Sequence, residues 1–185
     1  MTRRFYIRAT AIAASLFAAG YTAIAITDPL PRVLWNASAS VPIGFYRITP
    51  DNDPPIGSLV AVTPPKQLAR WMTERGYLGE NVPLLKHVVG KSGVRICRSG
   101  DIISVDARPV ATALFSDRLG RPLPVWQGCR TLRDGELFLL NSAHPDSLDG
   151  RYFGSLPDAA VLGRARPILT SNAPGAPLEW RSGRP

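Results

Sequence analysis

Residues 84–89 read Leu84-Leu85-Lys86-His87-Val88-Val89, and Gly90 ends the run. The run is short, unbroken by proline and closed by β-branched residues, which fits a strand better than a helix. Side chains alternate across a strand, so Leu84, Lys86 and Val88 share one face and His87 takes the other. A lysine between two aliphatic residues has two readings. In one the strand lies at an edge and Lys86 snorkels its ammonium to water. In the other the amine is desolvated and held neutral. Free lysine has a pKa of about 10.4, and a base working near pH 7–8 needs that lowered by roughly two to three units, at about 3–4 kcal/mol. A fold tolerates such a cost chiefly for function.

Working outward, the neighbouring runs are also short. Residues 45–48 and 59–62 precede the lysine strand; 94–97, 102–105, 109–113, 136–140 and 161–169 come after it. Residues 136–140 are almost continuously apolar, as in a strand buried on both faces. Pro-rich joints between such runs, with 18 Pro and 16 Gly in 185 residues, point to a mainly β fold. One helix interrupts it. Thr63 is placed to cap it, Pro64 or Pro65 to open it and Gly76 to stand just past its end. Leu68, Trp71, Met72 and Arg75 fall on one face of that helix, for core packing or for contact with lipid or an apolar substrate segment. Residues 115–128 read as a hairpin extension held by the cysteines. The sequence contains no internal repeat and no glycine loop for phosphate.

The N-terminus sets the compartment. Arg3, Arg4 and Arg8 lie in a basic flank over 1–8, ahead of an apolar run over 9–26. As a helix that run spans about 27 Å, close to a hydrocarbon core. The positive flank stays cytoplasmic, so the chain beyond residue 26 is exported. The rival reading is a cleaved signal peptide, since Ala23-Ile24-Ala25 has the form of a cleavage site. The length of the run favours a retained anchor. Asp28, Pro29 and Pro31 make a stiff link, the domain proper covers 27–170, and 171–185 reads as a flexible tail. The net charge of +8 comes from scattered residues, which argues against nucleic acid and for anionic headgroups. Cys97 and Cys129 cannot hold zinc alone, and neither His87 nor His144 stands at ligand spacing from them. In an oxidising compartment they form one disulfide; two separate buried thiols are the alternative.

Two further stretches carry polar side chains. Asn36-Ala37-Ser38-Ala39-Ser40-Val41-Pro42-Ile43-Gly44-Phe45-Tyr46 places two serines two apart, so in an extended chain both hydroxyls face one spot. An ordinary loop accounts for the same residues. The turn-rich segment from Asn141 to Gly154 comes directly after the buried strand at 136–140, a common position for site residues.

Taken together, Ser40 before an apolar residue and proline, Lys86 before Val88-Val89-Gly90, and Asp149-Gly150-Arg151-Tyr152-Phe153-Gly154 resemble the signal peptidase I superfamily of serine–lysine proteases. Glu74-Arg75-Gly76-Tyr77-Leu78, Gly120-Arg121-Pro122-Leu123-Pro124 and Trp126-Gln127-Gly128-Cys129 resemble its TraF-type branch, the conjugative-transfer peptidases. The resemblance covers residues 10–169. It implies a coiled β-sandwich or barrel behind a transmembrane helix. It also implies Ser40 as nucleophile, Lys86 as general base, and Ser38 with the Ser40 N–H as the oxyanion hole. Ser147 then orients the lysine, and Asp149 and Arg151 brace the site. Val41 stands where bacterial signal peptidases usually carry Met, Gly150 replaces a Ser, and Lys91-Ser92-Gly93-Val94 replaces a Pro-Gly-Asp turn. The implied function is an inner-membrane serine endopeptidase with a periplasmic catalytic domain, which matures a pilin precursor and can cyclise it. The resemblance implies no cofactor and no metal. A general signal peptidase, a non-enzymatic exported β-domain and a serine hydrolase using His144 are the alternatives.

Overall fold

The structure is a computed structural model that describes residues 2–27, 30–79, 81–173 and 175–181. The chain divides into two compact units after Pro31. The first holds helix α1 (Arg3–Thr27), 25 residues long. By length and composition it can cross a membrane. Thr22 and Thr27 return their hydroxyls to the carbonyls of Ala18 and Ala23, so both polar groups are satisfied within the helix. Asp28 and Pro29 of the expected stiff link lie outside the described residues.

The second unit is β-rich. Its elements are β1 (Val33–Asn36), β2 (Ile43–Thr49), β3 (Leu59–Val62), α2 (Lys66–Glu74), β4 (Leu84–Gly90), β5 (Arg95–Ser99), β6 (Ile102–Val105), β7 (Arg108–Thr112), β8 (Gly128–Thr131), β9 (Glu136–Leu140), α3 (Gly150–Phe153), β10 (Leu156–Pro157), β11 (Val161–Ser171) and β12 (Glu179–Trp180). Among the described residues, one antiparallel sheet runs β1-β2-β11-β3-β4-β9-β10, with β12 added on β11. Register shifts at Val161/Gly163, Pro167/Leu169 and Val88/Gly90 curl it. At Gly44 (φ +145°) a Cβ would stand 2.1 Å from the Leu169 carbonyl oxygen, so only glycine lets β2 and β11 approach this closely.

The central strands β3, β4 and β9 of the large sheet bury both faces, whereas β2 leaves one face exposed. Val60, Val62, Leu84, Val88, Leu137 and Leu139 form a core with Met72 of α2. Tyr46, Ile48, Ala61, Leu85 and Ala165 form another. Phe138 and Leu140 of β9 join Ile96 and Ile103 of the second sheet in a third. The alternation of β9 between two cores explains its unbroken apolar run. Each such side chain contributes about 1.5–3 kcal/mol when fully buried. Lys86 pairs with Val60, and β4 is flanked by β3 and β9, so it is an interior strand rather than an edge.

The second sheet has the order β7-β6-β5-β8, a Greek-key return. Cys97 and Cys129 face each other across β5 and β8 and are disulfide-bonded. β7 and β8 lie at opposite edges of the sheet, so the segment between them crosses over. The hairpin expected in 115–128 is present within that crossing: Ser116 and Pro122 form an antiparallel bridge, Asp117 N–H donates to Arg121 O and Leu123 N–H donates to Phe115 O. Thr63 does not cap α2, whose N-cap is Pro65 with no side-chain bond; Thr63 N–H instead donates to Ala160 O. Two successive prolines keep the backbone extended past Thr63. The stripe on α2 packs into the core, with Arg75 stacked over Trp71.

The segment expected as a flexible tail, 171–185, is paired over part of its described length. β11 runs on to Ser171, and β12 returns along it, pairing Leu169 with Trp180. Ser171 Oγ donates to the carbonyls of Ala173 and Ala176, and Arg181 N–H donates to Ile168 O. A strand edge recruited this segment despite its Pro/Gly content; residues 182–185 lie outside the described residues.

Candidate active site

Lys86 projects from the middle of β4 and is 4 % exposed. Its pKa is lowered to about 8, chiefly by burial; nearby Asp149 pulls it up and Arg151 pushes it down. Nζ donates to Ser147 Oγ at 2.8 Å. The desolvated reading of this lysine therefore holds over the snorkelling one.

Ser147 sits in the loop after β9, and that loop is tied by two buried charges. Asp149 and Arg151 are 0 % and 1 % exposed and form an ion pair at 2.8 Å. The carboxylate also accepts from the N–H groups of Asn141 and Arg151, and through the second of these Asp149 is the N-cap of α3. The Arg151 guanidinium donates to the carbonyls of Asn141, His144 and Pro145 at 3.2, 2.7 and 3.0 Å. Every carboxylate oxygen is matched, the condition under which a buried pair persists. Gly150 has no room for the serine of the related pattern. A Cβ there would meet Phe138 Cε2 at 2.6 Å and Leu139 O at 2.9 Å.

The serine stretch differs from the extended form expected. Residues 37–41 turn, yet the hydroxyls of Ser38 and Ser40 still meet at 3.2 Å. The turn is built by Asn36, 8 % exposed at the end of β1. Its Nδ2 donates to the carbonyls of Ser38, Val41 and Pro42 at 2.8, 3.1 and 3.1 Å. Its Oδ1 accepts from Ser38 N–H at 3.1 Å and Ser38 Oγ–H at 2.9 Å.

One cavity of about 610 Å³ brings these parts together. Ser38, Ser40, Lys86, His144 and Ser147 line it beside Met72, Leu84, Leu114, Leu123 and Leu148. Its far wall joins the segment after α2 to the segment before β8. Tyr77 donates to Asp117, Arg121 pairs with Asp117 at 2.7 Å, and Arg75 donates to Pro122 O at 2.8 Å. Arg118 pairs with Asp146 at the rim. His87 lies across the strand against Asn141 Oδ1, and neither histidine ring bonds Ser38 or Ser40 among the described residues. No cluster of metal-ligating side chains occurs among the described residues.

Sequence reasoning missed Asn36, Asn141 and Arg98. Asn141 Nδ2 donates to Leu85 O and so grips the strand next to Lys86. Arg98 is 1 % exposed and donates to the Arg151 carbonyl at 2.7 Å. Its alternation with buried Ile96 is the same signal that exposed Lys86. The two asparagines open turn-rich segments and gave no pattern of their own.

The chain belongs to the signal peptidase family, peptidase S26, which matches residues 4–170. Peptidase activity is what that family carries. Within it the chain is similar to conjugal transfer proteins. It is 35 % identical over 145 residues to the probable conjugal transfer protein TraF of Sinorhizobium fredii NGR234, covering 73 % of this chain and 76 % of that one. It is 36 % identical over 147 residues to the conjugal transfer protein TraF of Agrobacterium fabrum C58, covering 73 % and 81 %. The plasmid transfer protein TraF of Escherichia coli is 32 % identical over 148 residues, covering 73 % and 81 %. Among solved structures, a signal peptidase I from Enterococcus faecalis V583 is 17 % identical at a TM-score of 0.35, covering 60 % of this chain and 96 % of that one.

Proposed function

We propose that this chain is a serine endopeptidase, held by α1 in the inner membrane with its β unit in the periplasm, that processes a pilin precursor for conjugative transfer. The observation that supports this most is Lys86. A buried amine with a pKa of about 8 lines the same cavity as Ser40. The names of the relatives supply the setting of conjugation.

In this reading Ser40 Oγ attacks the scissile carbonyl carbon and its proton passes to neutral Lys86. A serine hydroxyl needs such a base to act as a nucleophile. Lys86 has two hydrogens when neutral; one is engaged by Ser147, and the lone pair remains for the proton. The oxyanion is met by two donors, the Ser38 hydroxyl and the Ser40 N–H. Protonated Lys86 then protonates the leaving amine as the C–N bond breaks, leaving an acyl ester on Ser40. Water releases an acid from that ester. The precursor's own N-terminal amine, attacking the same carbonyl, closes a ring with no further energy source. Ser147 orients the lysine, and Asp149 with Arg151 holds the loop that carries Ser147. The apolar cavity suits small or aliphatic substrate side chains.

The test is the intact mass of the partner pilin with the wild-type chain and with Ser40→Ala. Trimmed pilin with wild type only is expected, and a further loss of one water identifies ring closure. Normal trimming by a folded Ser40→Ala protein refutes the assignment and favours a non-enzymatic part in the transfer apparatus.

A further inference from the structure

We infer that Asn36 is a positioning residue that sets the direction of the serine hydroxyls as well as the shape of their loop. The inference rests on the peptidase reading above. The Asn36 amide nitrogen faces three carbonyls, and its oxygen faces the N–H and Oγ of Ser38. Only this orientation of the amide matches every donor to an acceptor. Oδ1 can only accept, so the single hydroxyl hydrogen of Ser38 is committed to Asn36. The 3.2 Å contact between Ser38 Oγ and Ser40 Oγ must then carry the hydrogen of Ser40.

The resting arrangement is therefore a relay, Ser40 to Ser38 to Asn36. In it the nucleophile's proton points away from Lys86, whose own hydrogen goes to Ser147. Acylation needs two turns. The Ser38 hydroxyl leaves Asn36 for the substrate oxygen, and the Ser40 hydroxyl leaves Ser38 for Lys86. An incoming carbonyl provides the acceptor that releases the first and, through it, the second. Asn36 thus keeps the pair idle until substrate arrives. Its Nδ2 bonds to carbonyls on either side of Ser40 hold the Ser40 N–H in place meanwhile.

Asn36→Asp disturbs both parts, and a Ser38→Ala background isolates the part that acts on the loop. A carboxylate keeps the size and is a stronger acceptor for the Ser38 hydroxyl, yet it donates nothing to the three carbonyls. In the full chain in detergent, acting on the purified pilin precursor, Asn36→Asp should lower kcat by roughly 10²-fold with KM changed less than about threefold, the scale of one lost oxyanion donor. In a Ser38→Ala background the same change should cost less than about tenfold, because the hydroxyl it misdirects is gone. Near-normal kcat, or an equal fold-loss in both backgrounds, overturns the inference. If Asn36→Asp does not fold, judged by far-ultraviolet dichroism, Asn36→Ser carries the same cycle. An active Ser40→Ala control removes the underlying reading; an inactive one beside independent Asn36 and Ser38 losses removes this inference alone.

Discussion

Replacing Lys86 by methionine should leave the protein inactive and more stable. The shift from 10.5 to about 8 corresponds to about 3 kcal/mol of disfavoured charge, at 1.36 kcal/mol per unit. Lys86 is almost fully buried, so solvent screening takes little from that figure. Proton counting gives the sign. Between pH 8 and 10.5 the unfolded chain holds the lysine proton and the native one does not. Native stability from this group therefore rises with pH across that window. Below pH 8 both states are protonated and the full cost is present. Methionine has a similar length, no charge and the flexibility to fill the space. At pH 7 Lys86→Met should gain about 2–3 kcal/mol, less about 1 kcal/mol for the bond lost by Ser147. The gain should fade as pH approaches 10.5. Denaturant titrations of both proteins at several pH values, followed by tryptophan emission, give the difference directly. Curves that stay parallel from pH 7 to 10.5, or a wild type more stable at pH 7, would refute a desolvated lysine.

Activity of the wild type should rise with pH through an apparent pKa near 8, and a flat profile between pH 6 and 10 removes Lys86 as the base. Lys86→Arg should be as inactive as Lys86→Ala, because arginine stays protonated; near-normal processing would instead make position 86 a charged anchor. Arg151→Met strands the Asp149 carboxylate in the interior and should cost about 3–5 kcal/mol in an unfolding titration, with processing lost in parallel. Unchanged stability would show that the pair braces nothing. Replacing Cys97 and Cys129 by alanine should cost about 3–4 kcal/mol on the chain-entropy account. The wild-type chain should be lighter by two hydrogens before reduction than after, and equal masses would reject the bridge.

The parts legible in the sequence were those with a short period. Alternation in β4 separated Lys86 from His87, and the unbroken run of β9 marked a strand with two buried faces. Ser147, Asp149 and Arg151 were found through a resemblance, because a turn-rich loop has no periodicity to read. Long-range pairing was hidden. Nothing local shows that β8 lies beside β5, or that Trp180 comes back along β11. Asn36 was hidden for another reason. Its two-sided amide works through carbonyl oxygens that every residue has, so its partners leave no trace in residue type. The turn at 37–41 replaced the extended form, but the serines stayed together because one side chain gathered both ends of the turn.

Strand β4 has a pairing partner on each side, Val60 opposite Lys86 and Leu140 opposite His87. Two adjacent residues thus stand in unlike surroundings, one in the cavity and one against Asn141. Exchanging Leu84 or Val88 for another aliphatic residue alters volume at one point. Losing or gaining a single residue within the strand exchanges its two sides, bringing an imidazole to the cavity and an ammonium to the asparagine. Divergence in this strand is thereby permitted in composition and forbidden in length. A chain of common descent is expected to vary the aliphatic residues around Lys86 while placing its insertions in the loops beyond the strand ends.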